Sequence, residues 1–154
     1  MPSVLFVCLG NICRSPLAEG ALRAEARRLN LDLVVDSAGT GNWHAGEPPD
    51  DRAQAVALRN GVDISALRAR QVRPADFRRF DHLIALDHDN LANLRKLAPA
   101  DATAQLSLLL DHVPGREGQP VADPWFGDAA GFDVTWAEVS AAARALAERF
   151  RRGG

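Results

Sequence analysis

Residues Val4 to Pro16 read VLFVCLGNICRSP. Val4-Leu5-Phe6-Val7 is short, continuously apolar and rich in β-favouring types, the pattern of a strand covered on both faces. Cys8 to Arg14 follows as a compact polar loop with Gly10 and Asn11, and asparagine tolerates the left-handed backbone that such a loop demands. Ser15-Pro16 then opens a helix, with Ser15 near the N-cap and Pro16 in the first turn. Ala18, Ala21, Leu22, Ala26 and Leu29 give that helix an apolar face, while Arg23, Arg27 and Arg28 stay in solvent.

Working outward, Leu31 to Val35 reads as a second strand, ending at Asp36-Ser37-Ala38-Gly39. A loop rich in Gly, Pro and Asp runs from Thr40 to Asp51, and a helix follows from Arg52 to Arg59, stopped by Asn60-Gly61. His82 to Leu86 is a third strand, and Asp87 to Leu97 a helix whose N-terminus carries Asp87 and Asp89. Ala104 to Leu110 is a fourth strand, and Val113 to Phe132 is irregular. A last helix has Val139, Ala142, Ala143, Leu146 and Phe150 on one face, and it starts either at Thr135 and Glu138, which have capping-box spacing, or a few residues earlier. Strands alternating with helices predict a three-layer α/β fold, a four-stranded parallel sheet with helices on both faces. Ligands in such folds bind beyond the carboxyl ends of the strands, where Cys8 stands.

The 154 residues suit a single domain spanning 1–154. Hydrophobic residues at 47% and charged residues at 25% are those of a globular protein. The net charge of −2 argues against a dedicated binder of nucleic acid or anionic membranes. Two cysteines make no disulfide scaffold. Met1-Pro2-Ser3 followed by so short an apolar run does not resemble a secretory signal, and no stretch approaches the roughly 18 apolar residues of a membrane span. A cytoplasmic location with reduced thiols is expected. His44, His82, His88 and His112 lack metal-ligand spacing, so no metal or other cofactor is expected.

The chemistry lies in Cys8-Leu9-Gly10-Asn11-Ile12-Cys13-Arg14-Ser15. Backbone N–H groups curled around this loop can cradle inorganic phosphate or a similar oxyanion. Arg14 adds a planar charged fork matched to two phosphate oxygens. The same positive surroundings favour a thiolate at Cys8, so nucleophile and oxyanion cradle come from one short segment. Cys13 has two readings, a small apolar filler or a resolving thiol that traps oxidised Cys8 as a disulfide.

This loop resembles the signature of the low-molecular-weight protein-tyrosine phosphatases. The likeness extends through Asp36-Ser37-Ala38-Gly39, Asn42-Trp43, Ala69-Arg70-Gln71-Val72, Leu86-Asp87 and Asp123-Pro124-Trp125-Phe126. The resemblance implies metal-independent hydrolysis of phosphotyrosine in a protein substrate, with a tyrosine kinase among the candidate partners, by an enzyme expected to be a monomer. Cys8 would attack phosphorus, Arg14 would clamp the equatorial oxygens, and Ser15 would donate to the sulfur. Asp123 would be general acid, then base toward water. Asn11 would bond Ser37 and tie the second strand to the phosphate loop. Relatives often carry histidine where Leu67 stands, bonded to this asparagine, and leucine cannot make that bond. Trp43, Trp125 and Phe126 are candidate walls for a phenyl ring. Relatives also carry tyrosines after the aspartate–proline pair. This chain has no tyrosine, so it lacks that site of control.

Three rivals fit less well. A thiol-dependent arsenate reductase needs more cysteines than these two. A protein-arginine phosphatase of the same superfamily carries threonine where Ile12 stands. A protein that only binds phosphate needs neither the thiol nor Asp123. Larger tyrosine phosphatases usually have histidine before the nucleophile, where this chain has Val7.

Overall fold

A computed structural model describes residues 1–153. The sheet order is β2-β1-β3-β4, with every pairing parallel. The strands are β1 (Ser3–Cys8), β2 (Val34–Gly39), β3 (His82–Ala85) and β4 (Gln105–Leu108). The helices are α1 (Arg14–Arg28), α2 (Asp51–Arg59), α3 (Asp76–Arg79), α4 (His88–Leu97) and α5 (Ala129–Arg151). This is the three-layer arrangement that the alternating pattern implies.

Strand alternation divides the core in two. Val4, Phe6 and Ile84 point into a layer filled by Leu17 and Leu22 of α1, Val56 of α2 and Leu146 of α5. Leu5, Val7 and Leu83 point the other way, against Phe77 of α3 and Leu91 and Leu94 of α4. Every residue of β1 is buried, as its unbroken apolar run requires. Removing a side chain such as Phe6 from water stabilises the fold by roughly 1.5–3 kcal/mol.

The sequence reading differs from the structure at several boundaries. The second strand is Val34–Gly39, not Leu31–Val35. Asn30 takes a positive φ of 55°, and Leu31 N–H donates to Ala26 O, so these residues close α1. Asp36 and Ser37 are within β2, which is an edge strand where polar residues are tolerated. Helix α1 starts at Arg14 and Cys13 is its N-cap position without a side-chain cap, so Ser15 does not cap. Helix α5 starts at Ala129, which brings Phe132 into the helix. Thr135 is interior to it and donates to Gly131 O at 3.1 Å, so Thr135 and Glu138 form no capping box. Strand β4 ends at Leu108, and Leu109–His112 turn as a 3-10 helix. The single-turn α3 was too short to leave a periodic signal.

The partly buried His112 is a candidate source of pH dependence in this fold. His112 Nε2 lies 2.9 Å from Ser107 Oγ, and Arg149 donates to its Nδ1 at 3.4 Å. Burial, then Arg149, then His82 push the His112 pKa down to about 4, against a smaller upward pull from Asp111. The folded value lies below the unfolded one, so this contribution to stability is full above pH about 6.5 and is lost as pH falls toward 4. In urea unfolding between pH 7 and 5, His112→Asn is expected to flatten the loss of stability seen in the native sequence. An unchanged pH slope would contradict this.

Candidate active site

The phosphate loop begins where β1 ends and closes where α1 begins. Its outer side is propped by β2, whose backbone runs on past the strand: Thr40 N–H donates to Cys8 O and Gly41 N–H to Leu9 O, both at 2.9 Å. A side chain at Gly39 would place its Cβ 2.7 Å from Leu9 O, so this approach requires glycine.

Within the loop Asn11 has φ 58°, the left-handed region. That turn points the Asn11 N–H at Cys8 Sγ, 3.3 Å away. Ser15 Oγ lies 2.9 Å from the same sulfur. The direction of this contact follows from the neighbours. Arg70 N–H donates to Asn11 Oδ1 at 3.0 Å, which fixes the amide orientation. Nδ2 then donates to Ser15 Oγ at 2.8 Å and to Ser37 Oγ at 3.0 Å. Ser15 therefore accepts from Asn11 and keeps its own proton for Cys8 Sγ. Ser37 likewise accepts from Asn11 and donates to Glu19 Oε1 at 2.7 Å. Glu19 is buried, and burial pushes its carboxyl up from the ordinary value, against the pull of Ser37 and Arg23.

Arg14 is fixed in the cleft that Cys8 also lines. Its side chain is 3% exposed, and NH1 donates to Asp87 Oδ2 and to Val121 O, both at 2.8 Å. Its buried Nε has no hydrogen-bond partner among the described residues. Asp87 also caps α4 by accepting from Asn90 N–H, so one carboxylate orients both a helix and the guanidinium. Asp123 lies across the cleft, its side chain 42% exposed and Oδ2 3.7 Å from Arg14 NH2. Its other oxygen, Oδ1, accepts from Trp125 N–H at 3.0 Å.

The cleft has a volume of about 200 Å³. Its floor is the loop from Cys8 to Arg14, and Trp43, Trp125 and Phe126 all line it. Trp43 lies over Gly41, where any Cβ would fall 1.8 Å from the indole. His44, singled out in the sequence only for its lack of metal-ligand spacing, also lines the cleft, tilted against Trp125 and paired with Glu47. Cys13 is buried, and burial first, then the Asp50 carboxylate, pushes its thiol far above the ordinary range. Leu67 packs against the core, and the bond to Asn11 Oδ1 comes from the Arg70 backbone. Glu19, Asp87 as partner of Arg14, and the Val121 carbonyl were missed by sequence reasoning; the Leu86-Asp87 pair was the one signal pointing to any of them. Among the described residues, no group of three or more His, Cys, Asp or Glu comes together to hold a metal ion. No described helix is long and apolar enough to cross a membrane.

Such a cleft suits a phosphate ester, since its donors converge on the Cys8 sulfur and its aromatic walls leave room for an aryl group. The family described as low molecular weight phosphotyrosine protein phosphatase matches residues 3–153. A low molecular weight protein-tyrosine-phosphatase of Bacillus subtilis is 43% identical over 128 residues, 82% of each chain. A protein tyrosine phosphatase of Entamoeba histolytica, crystallised with Hepes in its active site, superposes with a TM-score of 0.92 at 31% identity, covering 99% of both chains. A Drosophila arginine phosphatase superposes at 0.90 with 31% identity, covering 96% of this chain and 97% of that one. The chain belongs to the low molecular weight phosphotyrosine protein phosphatase family, and it is a protein-tyrosine phosphatase.

The loop geometry sets an expectation for Asn11. Asn11→Gly and Asn11→Ala both lose the three side-chain bonds, but alanine adds the left-handed backbone penalty of about 1–2 kcal/mol. Both should lower activity, and chemical denaturation should find Asn11→Ala the less stable by about 1 kcal/mol. Equal stability of the two variants would contradict a strained loop.

Proposed function

We propose that the enzyme cleaves phosphotyrosine in two steps through a phosphocysteine on Cys8. In the first step the Cys8 thiolate attacks phosphorus and the bond to the tyrosyl oxygen breaks. Asp123 gives its proton to that leaving oxygen. In the second step the Asp123 carboxylate takes a proton from water, the water oxygen bonds to phosphorus, and the S–P bond breaks. Ser15 donates to the departing sulfur. Inorganic phosphate then leaves.

The observation that carries this reading is the unpartnered, buried Nε of Arg14, a residue that lines the same cleft as Cys8. A buried guanidinium N–H without an acceptor is costly, and an oxyanion seated on the loop supplies one. With NH1 already committed to Asp87 and Val121, Nε and NH2 form the fork that meets two equatorial oxygens. Charge that spreads onto those oxygens in the transition state meets donors already oriented, which lowers the barrier without reorganisation. Backbone N–H groups of Leu9, Gly10, Asn11, Ile12 and Cys13 complete the cradle.

Aromatic walls favour an aryl ester, since they hold a phenyl ring and leave an alkyl phosphate loosely bound. Ile12 lines the cleft with hydrocarbon, which favours a phenyl ring over a guanidinium. The same reading takes the enzyme as a cytoplasmic monomer that acts on tyrosine-phosphorylated proteins, a tyrosine kinase among them. Its two free cysteines fit a reducing compartment.

Kinetics on matched phosphotyrosine, phosphoserine and phosphoarginine peptides test the substrate class. Phosphotyrosine should give the highest kcat/KM, and preference for phosphoarginine would contradict the assignment. Cys8→Ser is expected to lose at least about 10⁴-fold in kcat. Asp123→Ala should lose about 10²–10³-fold on phenyl phosphate and less on p-nitrophenyl phosphate. Substantial activity in Cys8→Ser would refute the mechanism.

A further inference from the structure

The loop that carries Asp123 is exposed at its tip, with Phe126 93% and Trp125 39% accessible. It is tied down at its start, where Val121 N–H donates to Leu86 O and Val121 O accepts from Arg14. Among the described residues, the hydrogen bonds reaching Pro124 to Gly127 from outside the loop come from Arg52. Its NH1 donates to Trp125 O at 3.2 Å and to Gly127 O at 3.4 Å.

Arg52 is itself held on several sides. Its Nε donates to Asp50 Oδ1 at 3.0 Å and its NH2 to Asp50 Oδ2 at 3.3 Å. Its Cζ lies 4.7 Å from the Phe132 ring centroid and 5.4 Å from that of Trp125. Asp50 is the N-cap of α2, accepting from Arg52 N–H at 2.8 Å. The Asp50 N–H donates to Ile12 O, inside the phosphate loop, at 2.8 Å. A continuous path therefore runs from Ile12 through Asp50 and Arg52 to the Trp125 carbonyl. It joins the loop bearing the nucleophile to the loop bearing the acid, which are more than a hundred residues apart in the chain.

We propose that Arg52, seated on Asp50, is a positioning residue that sets where the Asp123 carboxyl stands above the phosphate loop. The inference rests on the reading of Asp123 as the proton donor. Asp123 Oδ1 is bonded to the N–H of Trp125, and Arg52 holds the carbonyl of that same residue. Trp125 is thus gripped on both sides of its Cα, and a shift of its backbone carries the carboxyl with it. An ordinary helix-capping pair would stabilise α2 and stop there. The reach of NH1 to two carbonyls of the acid loop is what that simpler role leaves unexplained. Proton donation is sensitive to such placement, since an error of about 1 Å in a reacting group can cost on the order of a hundredfold.

The test is kcat/KM of purified enzyme on phenyl phosphate, a poor leaving group, and p-nitrophenyl phosphate, a good one. Arg52→Met and Arg52→Lys are measured alone and combined with Asp123→Ala. A positioning role is read as a selective loss. Arg52→Met should fall by about tenfold more on phenyl phosphate than on p-nitrophenyl phosphate. In the Asp123→Ala background the same change should cost less than about twofold on phenyl phosphate, because the two residues act as one unit. Arg52→Lys keeps the cation over the rings without the fork and should fall between. If Arg52→Met folds poorly, the lysine variant carries the same comparison. Equal losses on both esters, or a full additive loss in the Asp123→Ala background, would overturn the proposal. An Asp123→Ala variant that itself loses equally on both esters would overturn the acid assignment, and the proposal with it.

Discussion

The side-chain amide of Asn11 makes three hydrogen bonds at once, and the chemistry of the cleft depends on its orientation. Arg70 N–H pins the amide oxygen, so the nitrogen must face Ser15 and Ser37. With both lone-pair and proton roles assigned, Ser15 has one proton left and the sulfur of Cys8 is where it goes. A polar network in which every member is satisfied is rigid, because any rotation breaks two bonds in a medium where water cannot replace them. The left-handed φ of Asn11 is the strain this network sustains, and the same turn aims a backbone N–H at the sulfur. Leu67 removes the histidine often found in relatives, yet the amide keeps a full set of partners because the Arg70 backbone supplies the donor.

The second constraint is that the groups proposed to react come from the ends of different elements. Cys8 ends β1, Arg14 opens α1 and Asp123 lies in the irregular segment before α5. The parallel sheet brings the first two together directly. Asp87, after β3, then fixes the arginine, and Val121 links that arginine to the segment that carries Asp123. Arginine is suited to this role in a way lysine is not, since a planar fork can satisfy structural partners on one edge and present the other. The apolar layers on the two faces of the sheet hold these strand ends at fixed spacing, and close packing keeps the cleft from relaxing.

Much of this was legible in the sequence. The apolar run Val4 to Val7 between a start and a polar loop could only be a central strand, and alternation of strands with helices gave the layers. The loop itself announced a thiol and an arginine at phosphate-binding spacing. Strand β2 was misplaced because Asp36, Ser37 and Gly39 look like a turn; they are an edge strand whose polar side chains serve the site. Ser15 looked like a helix cap because serine before proline usually is one, but its hydroxyl is committed to Asn11 and Cys8. The Arg70 N–H and Val121 carbonyl are backbone groups that no residue type signals. Glu19 sits on a helix face where spacing alone marks it as ordinary surface, and only the fold reveals that it is buried against Ser37.

The proposed mechanism requires that Cys8 bond to phosphorus during turnover. It is tested most directly by quenching the enzyme in acid during steady-state hydrolysis of p-nitrophenyl phosphate and mapping phosphate on its peptides by mass spectrometry. A phosphate adduct is expected on Cys8, absent from Cys13 and abolished in Cys8→Ser. An active enzyme with no adduct on Cys8 under conditions that preserve phosphocysteine, or an adduct on another residue, would contradict it.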